Sequence, residues 1–446
     1  MENVLLVGSG GREHAIAKAL VRDDRVRLFA ALATSNPGVL DLAEATVDTE
    51  TDAAAIVAFA KEHAVDLCVV GPEAPLAAGV SDALEAAGFP CASPTQAAAR
   101  IESSKIFMRD LLDRHEVPGQ IRYCQTTDLG EAIAFAEALE WQVAVKPVGL
   151  TSGKGVKVWG DHFDTPESAT AYVREVLEQS VSGHDEVVVE ELLVGQEFTL
   201  HFYCDGARAL PTPLIQDHKR AHDGDKGPNT GGMGAYSCAD GRLPFVTDGD
   251  YEAACRIGQR VVEAMAADGN PFKGVLYGQF MVTAAGPKVI EFNARFGDPE
   301  AINALSLLET PFVDVCWAMV GGGLADLDVR HRHAATLVLY VVPAGYGTSP
   351  AAGEKIVVDE AALAAAGAQP FYASCRLLDR TGEVVTIETT SSRTLGVYAE
   401  GETPDDARRN ALRAIDTIGG RFTHRTDIGS AGVLAGKIES MRALRG

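Results

Sequence analysis

The residues best suited to chemistry form one run, Val289-Ile290-Glu291-Phe292-Asn293-Ala294-Arg295-Phe296-Gly297-Asp298-Pro299-Glu300. Glu291 and Asn293 are two positions apart, so on a strand they share a face, roughly 7 Å apart along it. Magnesium takes one or two carboxylates and completes its shell with substrate phosphates and water, which such a pair permits. Ile290 and Phe292 would then face the core. Gln279 would stand beside Glu291 if Val275–Val282 and Lys288–Phe292 pair through the turn at Ala285-Gly286, and its amide oxygen is a weaker candidate ligand. Arg295 follows as a planar fork for phosphate or carboxylate.

Other segments suit phosphates and nucleotides. Gly149-Leu150-Thr151-Ser152-Gly153-Lys154-Gly155 looks like a P-loop, but its glycine spacing is one residue short and Gly155 stands where a magnesium-binding hydroxyl belongs. A flap between antiparallel strands is expected instead, with Gly153 and Gly155 close to phosphate and Lys146 and Lys154 supplying charge. Val187–Val189 leads into Glu190, Glu191 and Leu193. Apolar residues there suit an adenine, backbone near Leu193 its edge, and Glu197 a ribose. Near the start, Val7-Gly8-Ser9-Gly10-Gly11-Arg12-Glu13 joins a strand to a helix. Glu13 replaces the third glycine of a dinucleotide fingerprint, and the second strand ends Phe29-Ala30-Ala31-Leu32 without the acid that holds a ribose. A sugar phosphate at Gly10, Gly11 and Arg12 fits better. The long polar stretch Asp217–Ser237, with Arg220, Asn229, Thr230, Gly231 and Gly232, predicts a mobile lid closing on a phosphorylated, polyhydroxylated substrate.

These groups need a scaffold. The chain has 446 residues, 46% hydrophobic and 23% charged, a length suited to about three domains. Strand and helix signals alternate over the first hundred residues, predicting a parallel α/β sheet whose strand ends carry Gly8–Arg12 and Gly71–Glu73. The texture changes near Ser103, and strands return after His331. No apolar run reaches the roughly 20 residues of a membrane helix, and no signal-peptide pattern opens the chain, so a soluble cytoplasmic protein is expected. A net charge of -23 argues against nucleic-acid partners. The eight cysteines lack CxxC spacing and read as buried small residues. Only 12 of the 39 basic residues are lysine, which fits a surface kept hydrated at high salt and predicts lost stability in dilute buffer.

The ordered set Gly10-Gly11-Arg12-Glu13-His14-Ala15, Gly71-Pro72-Glu73-Ala74-Pro75-Leu76, Gly153-Lys154-Gly155-Val156, Gln216-Asp217-His218-Lys219-Arg220, Gly227–Ser237 and Arg295–Glu300 closely resembles the phosphoribosylamine–glycine ligases, ATP-grasp enzymes of purine biosynthesis. The resemblance runs from residue 3 into the C-terminal region. It implies an N-terminal α/β domain (1–104), an ATP-grasp domain (105–328, with a lid subdomain at about 122–194) and a C-terminal α+β domain (329–446). It also implies ATP, Mg2+ or Mn2+, the substrates glycine and 5-phosphoribosylamine, a monomer, and a glycyl phosphate intermediate. Lys105 would join the lysines at the phosphates. Arg295, Asp298, Asp217 and Lys219 would hold the reacting substrates, with Gly10, Gly11, Arg12 and Glu73 across the cleft. Family members often read Lys-Ala-Asp-Gly-Leu-Ala-Ala-Gly-Lys-Gly at the flap and glycine at Gln279, so this chain departs at both. Another ATP-grasp ligase or carboxylase shares the nucleotide site and differs at the lid. An NAD oxidoreductase lacks support for want of the ribose acid, and a nucleotide sensor would not need the metal ligands.

Overall fold

The computed structural model describes residues 1–148, 155–179 and 185–446. Four parallel strands open the chain: β1 (Glu2–Val7), β2 (Val26–Ala31), β3 (Ala43–Val47) and β4 (Leu67–Val70), in the order β3-β2-β1-β4. In β1 neighbouring residues on opposite faces, such as Leu5 and Leu6, are both fully buried, as expected where both faces are covered. Helix Gly11–Val21 leaves the end of β1, and helix Glu73–Ala77 begins three residues after β4 ends.

The next sheet is antiparallel: β5 (Tyr123–Thr126), β6 (Val143–Pro147), β7 (Lys157–Val158) and β8 (Val187–Glu191), ordered β5-β8-β6-β7. Helices Leu129–Ala138 and Pro166–Gln179 back it, and Val143, Val145, Val173, Val176, Val187 and Val189 belong to its own small core. Beyond it come β9 (Gln196–Asp205), β10 (Ala209–Pro211), β11 (Gln216–His222), β12 (Lys226–Ser237), β13 (Lys273–Thr283) and β14 (Gly286–Asn293). A central sheet runs β10-β9-β13-β14.

The stretch expected as a lid, Asp217–Ser237, is instead the hairpin β11–β12. It joins the C-terminal strands β15 (Ala335–Val341), β17 (Ala368–Tyr372) and β20 (Leu395–Gly401) in the sheet β11-β12-β15-β20-β17. Glycine and asparagine are poor strand formers, which hid the pattern. The glycines serve packing here: a side chain at Gly234 would strike the Val338 carbonyl on the paired strand. Residues Gly232 to Ser237 are all buried. The remaining strands, β16 (Lys355–Asp359), β18 (Cys375–Thr381), β19 (Val384–Thr389) and β21 (Gly419–Gly420), form a small sheet ordered β18-β19-β16-β21.

The hairpin β13–β14 forms, and Gln279 stands opposite Glu291. The expectation for Ile290 is overturned. The register jumps from Gln279↔Glu291 to Phe280↔Val289, so Ile290 is the extra residue of a bulge. A bulge re-aims side chains. Ile290 is half-buried, while Val289 and Phe292 fill the core. All eight cysteines are free thiols, five of them buried. No described helix is long and apolar enough to cross a membrane.

Candidate active site

β14 delivers the oxygen pair as its spacing demands. Asn293 Nδ2 lies 3.5 Å from Glu291 Oε1, and Asn293 Oδ1 accepts from Arg295 at 3.3 Å. Among the described residues, no three acids, histidines or cysteines gather to hold a metal. One carboxylate and one amide oxygen therefore make an open grip, which fits a divalent ion whose shell is completed by phosphate and water. Gln279 is oriented away from that job. Its amide nitrogen donates to Glu197 (2.8 Å) and Asp217 (3.2 Å), and its oxygen accepts from the Thr199 hydroxyl (3.1 Å) and from Tyr277.

Beside it, Lys219 Nζ lies 3.0 Å from Glu197 and 3.7 Å from Asp217. Burial would lower the Lys219 pKa, but Asp217 and Glu197 outweigh it and raise it. Asp217 is pushed up by burial and by Glu197, whereas Glu197 is held down by Lys219 against the effect of burial. Lys219 is thus held between two carboxylates. Glu197, expected at a ribose, is committed to Lys219 and Gln279.

Of the lysines and acids expected at the nucleotide, Lys146 and Glu190 meet on β6 and β8. Glu190, 3% exposed, pairs with Lys146 and, at 2.9 Å, with Arg109 of helix Lys105–Arg114. Burial would raise Glu190, but the two cations hold it at about 2. Arg109 also donates to the carbonyls of Val289 (3.2 Å) and Ile290 (3.0 Å), which ties this sheet to the bulge beside Glu291 and Asn293. Lys105 opens the same helix, and burial followed by repulsion from Lys146 lowers its pKa. Glu191 turns to Arg122 at 2.9 Å, and Leu193 is half-buried on the loop after β8. Gly153 and Lys154 lie outside the described residues. Gly155 accepts from Tyr172 at 2.6 Å through its carbonyl.

Across the cleft, Glu73 sits 3.6 Å from Arg295 and 3.8 Å from Arg12. Burial would raise it, but Arg295 and then Arg12 hold it at about 2. Arg295 also pairs with Glu102 at 2.7 Å. The Gly10 N–H is taken by Glu13 at 2.7 Å, so the turn is not open to phosphate along its whole length. A side chain at Gly11 would collide with the Tyr340 hydroxyl. Asp298 accepts from Tyr340 and lies 3.2 Å from Arg393, which donates to the carbonyls of Asp298 (2.6 Å) and Gly231 (2.9 Å). Gly231 and Gly232 therefore reach the cleft. Thr230 bonds within the hairpin to Lys219 O at 2.7 Å. Arg220, opposite Asn229 near the hairpin tip, pairs with Asp161 at 2.8 Å.

The sequence matches three profiles in order, described as Phosphoribosylglycinamide synthetase, N domain (residues 2–102), ATP-grasp (A) domain (103–301) and C domain (336–431). It is 43% identical over 441 residues to phosphoribosylamine–glycine ligase of Methanobrevibacter smithii, covering 99% of both chains. Identity is 45% over 453 residues with the enzyme of that name from Methanopyrus kandleri, covering 100% of both. The chain belongs to the phosphoribosylglycinamide synthetase family. The crystal structure of phosphoribosylamine–glycine ligase from Thermotoga maritima superposes with a TM-score of 0.79 at 23% identity, covering 96% of this chain and 100% of that one. The biotin carboxylase domain of Hydrogenobacter thermophilus 2-oxoglutarate carboxylase shares the fold with a TM-score of 0.71 at 14% identity, covering 99% of this chain and 94% of that one. The fold is that of the synthetase family: an N-terminal parallel sheet, a central ATP-grasp region and a C-terminal α+β region.

Within this family frame, sequence reasoning missed Arg109, Glu102, Tyr340 and Arg393. Arg109 carried a usable signal, since it shares the buried stripe of its helix with Met108, Leu111 and Leu112. Arg393 follows Ser391-Ser392 in no recognisable motif, and only the fold brings it to Asp298.

Proposed function

We propose that the chain joins glycine to 5-phosphoribosylamine at the expense of ATP, giving glycinamide ribonucleotide, ADP and phosphate. The reading rests on one observation above others: a single run carries the Glu291/Asn293 grip and then Arg295 and Asp298, which face Glu73, Arg12 and Arg393. Family membership supports the same reaction. ATP transfers its γ-phosphoryl group to the glycine carboxylate, forming glycyl phosphate. The amine of phosphoribosylamine attacks the acyl carbon, phosphate leaves, and the nitrogen sheds a proton.

The reaction uses ATP with a divalent metal. We assign Mg2+ or Mn2+ to Glu291 and Asn293, where the ion would neutralise charge between carboxylate and phosphate. Phosphoryl transfer needs positioning and charge neutralisation more than covalent help. Lys105, Lys146 and Lys154 supply charge along the triphosphate, with Gly153 and Gly155 close to it. Glu190, Glu191, Leu193 and Glu197 shape the wall beside the nucleoside. Lys219, held by Glu197 and Asp217, faces the reacting phosphate. Arg295 orients the glycine carboxylate, and Asp298 holds an amine. Gly10, Gly11, Arg12 and Glu73 take the sugar phosphate end, with Gly231 and Gly232 opposite and Arg220, Asn229 and Thr230 further out.

We place the domain boundaries at 104 and 328, with a lid subdomain at about 122–194. The reading takes the enzyme as a cytoplasmic monomer, which light scattering at one chain per particle would support. The direct test is ADP release from purified protein given glycine and freshly made phosphoribosylamine. Release should require both. Release with bicarbonate but not glycine would overturn the assignment in favour of a carboxylase.

A further inference from the structure

Helix Gly11–Val21 carries Arg12 into the active site at its start and a second basic group at its far end. Ala15, Lys18 and Arg22 follow at i, i+3 and i+7, one face of the helix and the residue just past it. With Arg332, Gln369 and Phe371 they line an open cleft of about 200 Å³ where the N-terminal, central and C-terminal regions meet.

Three cations face this cleft, in a chain with 62 acidic and 39 basic residues. Only Arg332 has a carboxylate partner there, Glu400 at 2.6 Å. Among the described residues, neither Lys18 nor Arg22 has an ion-pair partner within 4.0 Å. Both are held in place by neutral groups. Lys18 donates to the Gln369 side-chain oxygen at 2.8 Å and sits 4.7 Å from the Phe371 ring centroid. Arg22 donates to the carbonyls of Leu305 (2.5 Å) and Leu308 (3.3 Å). Glu400, itself in the lining, neutralises Arg332, whereas Lys18 and Arg22 are positioned without a carboxylate in contact, which leaves two of the three cations for an anion. Burial lowers both pKa values first; Arg332 then depresses that of Arg22, while for Lys18 the pull of Glu360 comes ahead of the smaller push from Arg22.

We propose that this cleft is a binding site, separate from the active site, for a small phosphate-bearing anion. Arginine offers a planar fork and lysine a compact charge, the usual pairing for phosphate oxygens. The cleft is smaller than the roughly 300–1,000 Å³ pockets that enclose drug-sized ligands, which suits a phosphate, a pyrophosphate or the phosphoryl end of a small metabolite. Bound there, the anion ties the three regions together at the helix whose other end carries Arg12, and stabilises the native state by linkage.

The test is calorimetric titration of the full chain, with ADP saturating the nucleotide site, using inorganic pyrophosphate as the probe. One equivalent should bind to wild type and to Glu291→Ala. Lys18→Gln should weaken it about tenfold or more, the loss expected of one charge-assisted contact. ADP affinity, the melting temperature without anion and turnover in phosphate-free buffer should stay unchanged in Lys18→Gln. Parallel titrations with inorganic phosphate and ribose 5-phosphate tell a free anion from a sugar phosphate by which binds more tightly. No bound equivalent in wild type, or equal affinity in wild type and Lys18→Gln, would overturn the proposal.

Discussion

On the side of the cleft proposed for the nucleotide, Lys146, Glu190 and Arg109 come from β6, β8 and the helix before them, and they pair with one another inside the protein. On the side proposed for the substrates, Arg12, Arg295 and Arg393 come from the two ends and the middle of the chain and converge on Glu73 and Asp298. The first wall is a buried ion cluster, whose integrity is a folding matter. The second is a partly open set of charges that exists only when three regions are docked. Damage to the first should appear as lost stability, and damage to the second as lost substrate affinity.

The largest effect is expected from Glu190→Ala. It leaves Arg109, 1% exposed, without its carboxylate, and removing one partner of a buried pair costs roughly 3–5 kcal/mol. Chemical denaturation measures it, and a loss below about 1 kcal/mol would mean the wall is not held by that cluster. Glu291→Ala sharpens the contrast from the catalytic side. Turnover should fall on the order of 10²–10³-fold, the scale for loss of one electrostatic stabiliser, while the melting temperature holds. An active variant would remove Glu291 from the metal grip.

The smallest effect is one of pH. Glu300, 3% exposed, is pushed up to about 7 by burial and then by Asp217. Its folded pKa lies above the ordinary 4.5, so its contribution to stability is present below about 4.5 and is lost as pH rises through about 7. Glu73 and Glu190, held at about 2, act in the opposite sense: their contribution is present above 4.5 and is lost as pH falls towards 2. Glu300→Gln should therefore flatten the fall in melting temperature on the alkaline side and leave the acid side alone. An unchanged alkaline slope would remove Glu300 as its cause.

What could be read in advance follows the same division. The pair Glu291 and Asn293, and Gln279 across from them, follow from strand period and a hairpin turn, both local. The parallel sheet follows from alternating strands and helices. Ile290 escaped because a bulge breaks the period that placed it. The hairpin β11–β12 escaped because its glycines, taken for mobility, let β12 pack closely on β15. The substrate wall was legible only as far as its motifs reached. Arg12, Glu73, Arg295 and Asp298 stand in recognisable runs. Arg393 is 95 positions from Asp298, and nothing local marks it.

Arg393→Gln is therefore the most direct test of a substrate wall assembled from three regions. Paired with the Asp298 carboxylate and bonded to two cleft carbonyls, Arg393 should matter to phosphoribosylamine and not to nucleotide. The KM for phosphoribosylamine should rise about ten- to a hundredfold, the range for a lost charged hydrogen bond, with the ADP dissociation constant unchanged. An unchanged KM, or an ADP affinity that falls in step with it, would contradict the account.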